Sequence, residues 1–384
     1  MIVHICNDDI FVQRFVISLF DKLYNSKNIY IIVKEDNNLN NIKLNTNVII
    51  LSKKDKQILK YCNNAKIVIL HSLFGGVNNI QISKINKNVK VMWSSYGGDY
   101  YNDIDFSKMF YSIYDKYSIR YNEIQKKESF AKLKSLQIIS NYHKLRTGEH
   151  NKIFIKRKII KRIDFFSTVL PNEEILVRKL YRLNNSVSYL RLSYGNIKQV
   201  LTNFYNDKLE IGNNIIIGNS ATLSNNHIGA FELVKDVKCR VICPLNYGDT
   251  QYKNYVIKKG KFLFKDKFMP IEEFIPAKNY VSLLSSCGVM IMNHIRQQAV
   301  GNVILGLYIG MKVFLNTKNP LFKFLLENKI IVFDINLLKL DKKNMFKQLS
   351  KTDIIKNRDN LEKLWGEDVV NRRIVHSINT MLNL

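Results

Sequence analysis

The sequence lacks several features that would settle a function at once. No apolar run reaches the roughly 18 residues needed to cross a bilayer. The opening stretch, Met1 to Asp9, has neither the basic start nor the long apolar core of a secretory signal, so a cytoplasmic protein is expected. Only five cysteines occur, at positions 6, 62, 239, 243 and 287, too scattered for a disulfide framework. Cys239 and Cys243 fall on an expected strand, whose rise would hold their Cα atoms about 13 Å apart. No Walker motif, Gly-x-Gly-x-x-Gly fingerprint or Cys/His metal cluster is present. Helix-turn-helix, zinc and RNA-binding signatures are missing too, which argues against nucleic acid as a partner. Acidic residues are scarce: 32 Asp and Glu stand against 59 Lys and Arg, a net charge of +27.

Hydrophobic residues make up 46% of the 384 positions, so a disordered chain is excluded. The length suits two domains, each able to bury its own core. The positive surplus calls for an acidic partner: nucleic acid, an anionic membrane or a phosphorylated ligand.

Short β-branched runs alternate with amphipathic stretches. Residues 2–6, 29–33, 48–51, 66–70 and 89–93 read as strands, and then 165–170 and 187–192. A long basic helical stretch occupies about 122–162. The polar segment 203–214 reads as a linker. The alternation then resumes at 215–217, 237–243, 261–264, 289–292, 313–315 and 330–333, and helical patterns follow from Asn344. This predicts an α/β protein with two doubly wound, Rossmann-like domains facing a cleft. The expected boundaries are 1–205 and 206–365, with a final helix, 366–384, packing back toward the first domain.

Doubly wound sheets bind ligands beyond the carboxyl ends of their strands. In the second half, the residues there are Gly218, Asn219 and Ser220, then Ser224, Asn225 and His227. They suit either an anion at a helix start or an ordinary capped loop. Tyr247 follows the next strand and suits base stacking or packing. The strongest segment holds Arg296, Gln297, Gln298, Gly301 and Asn302 between a strand and a helix. Arg296 can meet phosphate bidentately, and Gly301 permits close backbone approach. In the first half, Asp9, His71 and Asp99 follow strands. Each can take a proton from an attacking hydroxyl, and each also suits a cap, turn or core role. Asp103-Ile104-Asp105 matches a metal-binding DxD pattern but follows no clear strand.

These loops together resemble glycosyltransferase family 56. That family moves 4-acetamido-4,6-dideoxy-D-galactose from dTDP to an undecaprenyl-diphosphate-linked disaccharide, lipid II of enterobacterial common antigen. The resembling pieces are Trp93 with Tyr96 to Tyr101, Gly218-Asn219-Ser220, Ser224 to His227, Pro244 to Gly248, Arg296 to Gly301, and Asn316 to Pro320. They span roughly residues 1–335. The sequence departs from the family pattern at Ala221 and Ala299, where glycine is usual, and at Asn302, where threonine is usual. It lacks a second tryptophan near Tyr96 and a histidine pair after Asp9. These departures leave donor sugar and acceptor open.

The resemblance implies a GT-B fold and a transferase needing neither metal nor cofactor. It implies a nucleotide-sugar donor, a dTDP-sugar first and a UDP-hexosamine second. It implies a lipid-linked saccharide acceptor in enterobacterial common antigen, O-antigen or related polysaccharide synthesis. Asp9 or Asp99 would be the base, with His71 third, and Arg296 would stabilise the departing diphosphate. The basic stretch, from Lys126, Lys127, Lys132 and Lys134 through Lys144, Arg146 and Lys152 to Lys156, Arg157, Lys158, Lys161 and Arg162, would sit on an anionic membrane. That places the protein peripherally on the cytoplasmic face of a bacterial inner membrane.

Overall fold

The structure is a computed structural model. It describes residues 1–24, 27–36, 38–73, 80–107, 113–125, 151–192, 195–201, 211–340 and 344–383. The chain forms two compact units. The first comprises Met1–Phe110, Phe130–Asn196 and Glu367–Leu384; the second comprises Tyr111–Ser129 and Ile197–Gly366.

The first unit holds β1 (Ile2–Cys6), β2 (Asn28–Val33), β3 (Val48–Leu51), β4 (Ile67–His71), β5 (Lys90–Ser94), β6 (Phe165–Ser167) and β7 (Ser188–Tyr189). Their order is β3-β2-β1-β4-β5-β6-β7, and every pairing is parallel. Strands buried on both faces explain the continuous Ile/Val runs. The C-terminal helix, Glu367–Asn383, closes this core. Its Val370, Ile374, Ile378 and Met381 recur at helical spacing and pack with Val16, Phe20 and Tyr30.

The second unit holds β8 (Asn214–Ile217), β9 (Val241–Pro244), β10 (Phe268–Ile271), β11 (Cys287–Met292), β12 (Lys312–Leu315) and β13 (Phe333–Asp334). Their order is β10-β9-β8-β11-β12-β13, again all parallel. The order reverses between β8 and β11, as it does between β1 and β4 in the first unit. A doubly wound sheet opens its binding crevice at such a reversal.

One expected strand needs correction. Residues 261–264 end the helix Thr250–Phe264 instead. Tyr252, Val256, Gly260 and Phe264 are buried there at intervals of four, a helical stripe. The edge strand is β10, a few residues later. Residues 111–129, which the sequence reading assigns to the first domain, group with the second unit. Tyr121 anchors them, its ring 4.5 Å from that of Tyr255 and 5.3 Å from that of Tyr252. Residues 126–150 of the basic stretch and 203–210 of the linker lie outside the described residues.

Candidate functional site

In the second unit, β8 and β11 end side by side, with Ile217 in register with Ile291. Gly218 then turns with φ +71° while its N–H donates to Ile291 O at 3.0 Å. A Cβ at Gly218 would lie 2.6 Å from His227 Nε2 and 2.8 Å from Asn225 Oδ1. Only glycine fits both that backbone and that space.

Asn225 organises the loop after β8. Its Oδ1 accepts the Asn219 N–H at 2.9 Å, and its Nδ2 reaches Thr222 Oγ1 at 2.7 Å and Ser220 Oγ at 3.1 Å. His294, two residues beyond β11, points Nε2 at Asn225 Oδ1 (2.8 Å) and Asn219 Oδ1 (3.1 Å). Two facing carbonyl oxygens require the proton on Nε2. Burial, then the nearby Arg296 charge, hold this imidazole neutral, its pKa well below the usual value. His227 opens the helix His227–Val234, with Nδ1 3.2 Å from Tyr252 Oη, and burial lowers its pKa to about 3. In these loops His227 Nε2, His294 Nδ1 and Gln297 Oε1 are buried without a hydrogen-bond partner among the described residues.

Gln298 joins the two loops. Its Nε2 donates to Asn219 Oδ1 at 3.1 Å and Thr222 Oγ1 at 3.2 Å. Its Oε1 accepts from Ser224 Oγ at 2.7 Å and from Arg296 Nε at 3.1 Å. The Arg296 guanidinium is therefore aimed by a fixed amide rather than left loose on a loop. Tyr247, 56% exposed after β9, accepts from Asn219 Nδ2 at 2.7 Å through its hydroxyl. Next to it Gly248 has φ +121°, and a Cβ there would meet Ala221 O at 2.5 Å.

The helix Val300–Ile309 begins beside this network. Ala299, its N-cap, is left-handed (φ 55°) and supplies no side-chain cap. Its first-turn N–H groups have no intrahelical partners and can meet an anion. Gly301 is exposed, and a Cβ there would meet nothing within 4 Å. Asn302 beside it is half-buried. The helix is otherwise buried from Val303 to Ile309, which fixes its opening in place.

A second cluster supports the first, and sequence reasoning missed it. Asn226, left-handed at φ 52°, donates through Nδ2 to Asn293 O at 2.9 Å, while its Oδ1 accepts the Asp115 N–H at 2.9 Å. Asn316 Nδ2 donates to Asn293 Oδ1 at 3.0 Å. Asp115 itself holds Ser118 N at 2.8 Å, and burial raises its carboxyl pKa. The run Asn293-His294 directly after an apolar strand was the available signal. Asp115, far from Asn226 in the chain, offered none.

The first-unit candidates behave differently. Asp9 is exposed just past β1, its Oδ1 accepting the Phe11 N–H at 2.7 Å at a helix start. Asp99 is fully buried in the first turn of the helix Gly97–Ser107. It accepts from Ser72 Oγ (2.6 Å), Tyr96 N (3.0 Å) and Trp93 Nε1 (3.2 Å), and burial raises its pKa. His71 is buried with Nε2 2.9 Å from His4 Nδ1, and burial drives its pKa well down. Asp99 and His71 therefore knit strand ends together, and Asp9 is the one of the three exposed to solvent. Asp103 and Asp105 fall within the helix Gly97–Ser107, not on a strand-end loop. Among the described residues no group of three or more His, Cys, Asp or Glu could hold a metal.

Of the basic stretch, Lys126, Lys127, Lys132, Lys134, Lys144 and Arg146 lie outside the described residues. Two later members turn inward. Lys156 is buried and donates to Asp99 O, and Arg162 donates to Ile85 O (2.9 Å), Val89 O (2.7 Å) and Asp164 (3.1 Å). Carbonyls and a carboxylate inside the unit, not a membrane, take these charges. No helix among the described residues is long and apolar enough to cross a membrane.

Residues 179–366 match the model of the family described as 4-alpha-L-fucosyltransferase, glycosyl transferase group 56. The protein is a glycosyltransferase. The resemblance to group 56 holds across the strands β8 to β13, and the matched stretch contains every expected donor residue. The Trp93–Tyr101 part of the resemblance lies outside it. Similar solved structures agree on the fold. A glycosyltransferase from Rickettsia africae is 12% identical, with 99% of this chain and 98% of that one covered and a TM-score of 0.61. Anabaena HepE in complex with UDP is 7% identical, 99% of each covered, TM-score 0.62. Sucrose-phosphate synthase from Thermosynechococcus elongatus is 9% identical, 100% and 99% covered, TM-score 0.66. The architecture is GT-B, with two Rossmann-like units.

Proposed function

We propose that this glycosyltransferase moves a deoxyamino sugar, 4-acetamido-4,6-dideoxygalactose or a close relative, from a dTDP-linked donor to an undecaprenyl-diphosphate-linked saccharide. The reaction belongs to cell-surface polysaccharide synthesis at the cytoplasmic face of a bacterial inner membrane. One observation carries the donor side: Arg296, fixed by Gln298, stands beside the uncapped start of the helix Val300–Ile309 at the β8/β11 reversal. A cation and free N–H groups converging there suit a diphosphate. As the acceptor oxygen bonds to the anomeric carbon, the sugar–diphosphate bond breaks and the diphosphate leaves with the electron pair. Arg296 and the helix start stabilise that charge. Asp9, the exposed carboxylate of the three candidates, takes the acceptor proton.

The donor is tested by thermal shift with dTDP, UDP and GDP, then by transfer from the matching sugar. A ligand bound only by the folded protein raises its apparent stability. dTDP should raise Tm in the native protein and fail to do so in Arg296→Ala. If no nucleotide binds, the reading falls. UDP as the preferred ligand favours the second reading, a UDP-hexosamine transferase of O-antigen or capsule synthesis. The likeness to HepE, solved in complex with UDP, supports that alternative.

A further inference from the structure

The second unit carries another surface of distinct chemistry, on the helix Thr250–Phe264. This helix buries Tyr252, Val256, Gly260 and Phe264. The face it turns away carries Lys258, with Lys261 and Phe262 three and four residues on beside it, and exposed Lys265 follows as the residue that ends the helix. Lys259 flanks them, its ammonium 6.0 Å from the Tyr255 ring centre. Phe262 is 77% exposed. Between positions 258 and 267, lysines at 258, 259, 261, 265 and 267 face a single acidic residue, Asp266. Among the described residues, Lys258, Lys261 and Lys265 form no ion pair. The nearby Glu272 is engaged with Lys253 at 3.6 Å. Two more apolar side chains follow in the chain: Met269 on β10, 38% exposed, and Phe274, 75% exposed.

A solvated basic face accounts for the lysines and leaves the phenylalanine unexplained. An aromatic ring ringed by lysines matches a bilayer interface: the ring enters the acyl boundary and the lysine stems lie along it with their heads on phosphates. The neighbouring edge strand argues against pairing with a protein strand. β10 is short, and one of its residues, Pro270, lacks an N–H.

We propose that this face is a contact surface for anionic lipid, with Phe262 as its inserted residue and Lys258, Lys261 and Lys265 as its headgroup contacts. Its purpose, bringing the transferase to a lipid-linked acceptor, rests on the reading above; the surface itself does not.

The test uses the full chain with vesicles of phosphatidylcholine alone and of phosphatidylcholine mixed with phosphatidylglycerol. Charge reversal in Lys258→Glu/Lys261→Glu/Lys265→Glu should weaken binding to the anionic vesicles by about a hundredfold, roughly fivefold or more per lysine. Phe262→Ala should weaken it about tenfold. In Phe262→Trp, anionic vesicles should shift the indole emission to the blue, above the background of Trp93 and Trp365. All these positions are exposed, so unchanged melting confirms intact folding. Two results overturn the proposal: vesicle binding by the triple variant equal to wild type, or a Phe262→Trp emission indifferent to anionic vesicles. A triple variant that loses affinity for nucleic acid but not for vesicles also overturns it. The nucleotide-induced Tm shift keeps the two readings apart. It should persist in every variant, and its absence from the native protein would sink the donor reading while leaving this surface standing.

Discussion

Gln298 Nε2 donates to Asn219 Oδ1 at 3.1 Å, a bond that ties the loop after β11 to the loop after β8. The same side chain accepts from Arg296, so the two loops and the guanidinium share one anchor. Gln298→Leu removes the anchor and leaves the charge. Donor affinity should fall at least tenfold, measured by calorimetry. Stability should fall by only about 1 kcal/mol, because Gln298 is half-exposed. Unchanged affinity would show that Arg296 needs no positioning.

Two glycines of the site make opposite demands. Gly218 has φ +71° and no room for a Cβ, whereas a Cβ on Gly301 would meet nothing. Gly218→Ala should therefore destabilise the fold by several kcal/mol, through strain and through displacement of His227 and Asn225. Gly301→Ala should leave stability equal or raised by about 0.5 kcal/mol. If the diphosphate occupies the space above the helix start, Gly301→Ala will weaken donor binding nonetheless. Denaturant titration and calorimetry on the two variants separate the effects.

Gly229 lies against the segment that begins at Asp115. A Cβ on it would collide with Asp115 Oδ2. Gly229→Ala should push residues 113–118 away from Asn226 and Asn293 and lower Tm by several degrees, about 1–3 kcal/mol. Adding Asp115→Gly relieves the clash, so the double variant should recover part of that loss. A double variant no better than the single one would mean that the segment is not held there.

Much of this architecture was legible from strand runs and strand ends. Isoleucine-rich segments marked the parallel sheets, and residues just past them, Asn219 to Asn225 in one loop and Arg296 with Gln298 in the other, form one network. What was not legible has physical causes. Lys261–Phe264 is a short apolar run, which periodicity alone cannot assign; its partners at 252, 256 and 260 made it helical. Asp99 follows two glycines, where a helix-start role competes with a catalytic one, and its burial favours the first. The Asp115, Asn226 and Asn293 contacts join positions far apart in the chain, so no local pattern announces them.

The buried histidines set an acid limit. His4 and His227 each have a folded pKa of about 3 because burial disfavours the charged ring, and His71 and His294 shift the same way. In the unfolded chain the value returns to about 6.5. Below that pH the unfolded state binds more protons than the folded one, so stability must fall as pH falls. Each histidine contributes a slope of about 1.4 kcal/mol per pH unit until its folded pKa is approached. The raised carboxyls of Asp99 and Asp115 act in the opposite sense and soften the decline at its acid end. Urea titrations at pH 7.5, 6 and 5 should show stability nearly constant above 7 and dropping by several kcal/mol by pH 5. A flat profile would mean that the rings are not held neutral.

The three proposed bases separate by what their loss does to folding. Asp9 is exposed and holds one N–H, so Asp9→Asn keeps a capping oxygen and should leave stability within about 0.5 kcal/mol. If Asp9 accepts the acceptor proton, kcat should fall a hundredfold or more while donor affinity stays intact. Asp99 accepts from Ser72, Trp93 and Tyr96 inside the core. Asp99→Ala orphans those donors and should destabilise by about 3 kcal/mol or more. His71 faces His4 within the same buried layer, and His71→Gln should act on stability first. A fully active Asp9→Asn enzyme would return the role to Asp99 or His71. Either would then need an opening of the core to reach an acceptor, a motion that hydrogen exchange at the ends of β4 and β5 would detect.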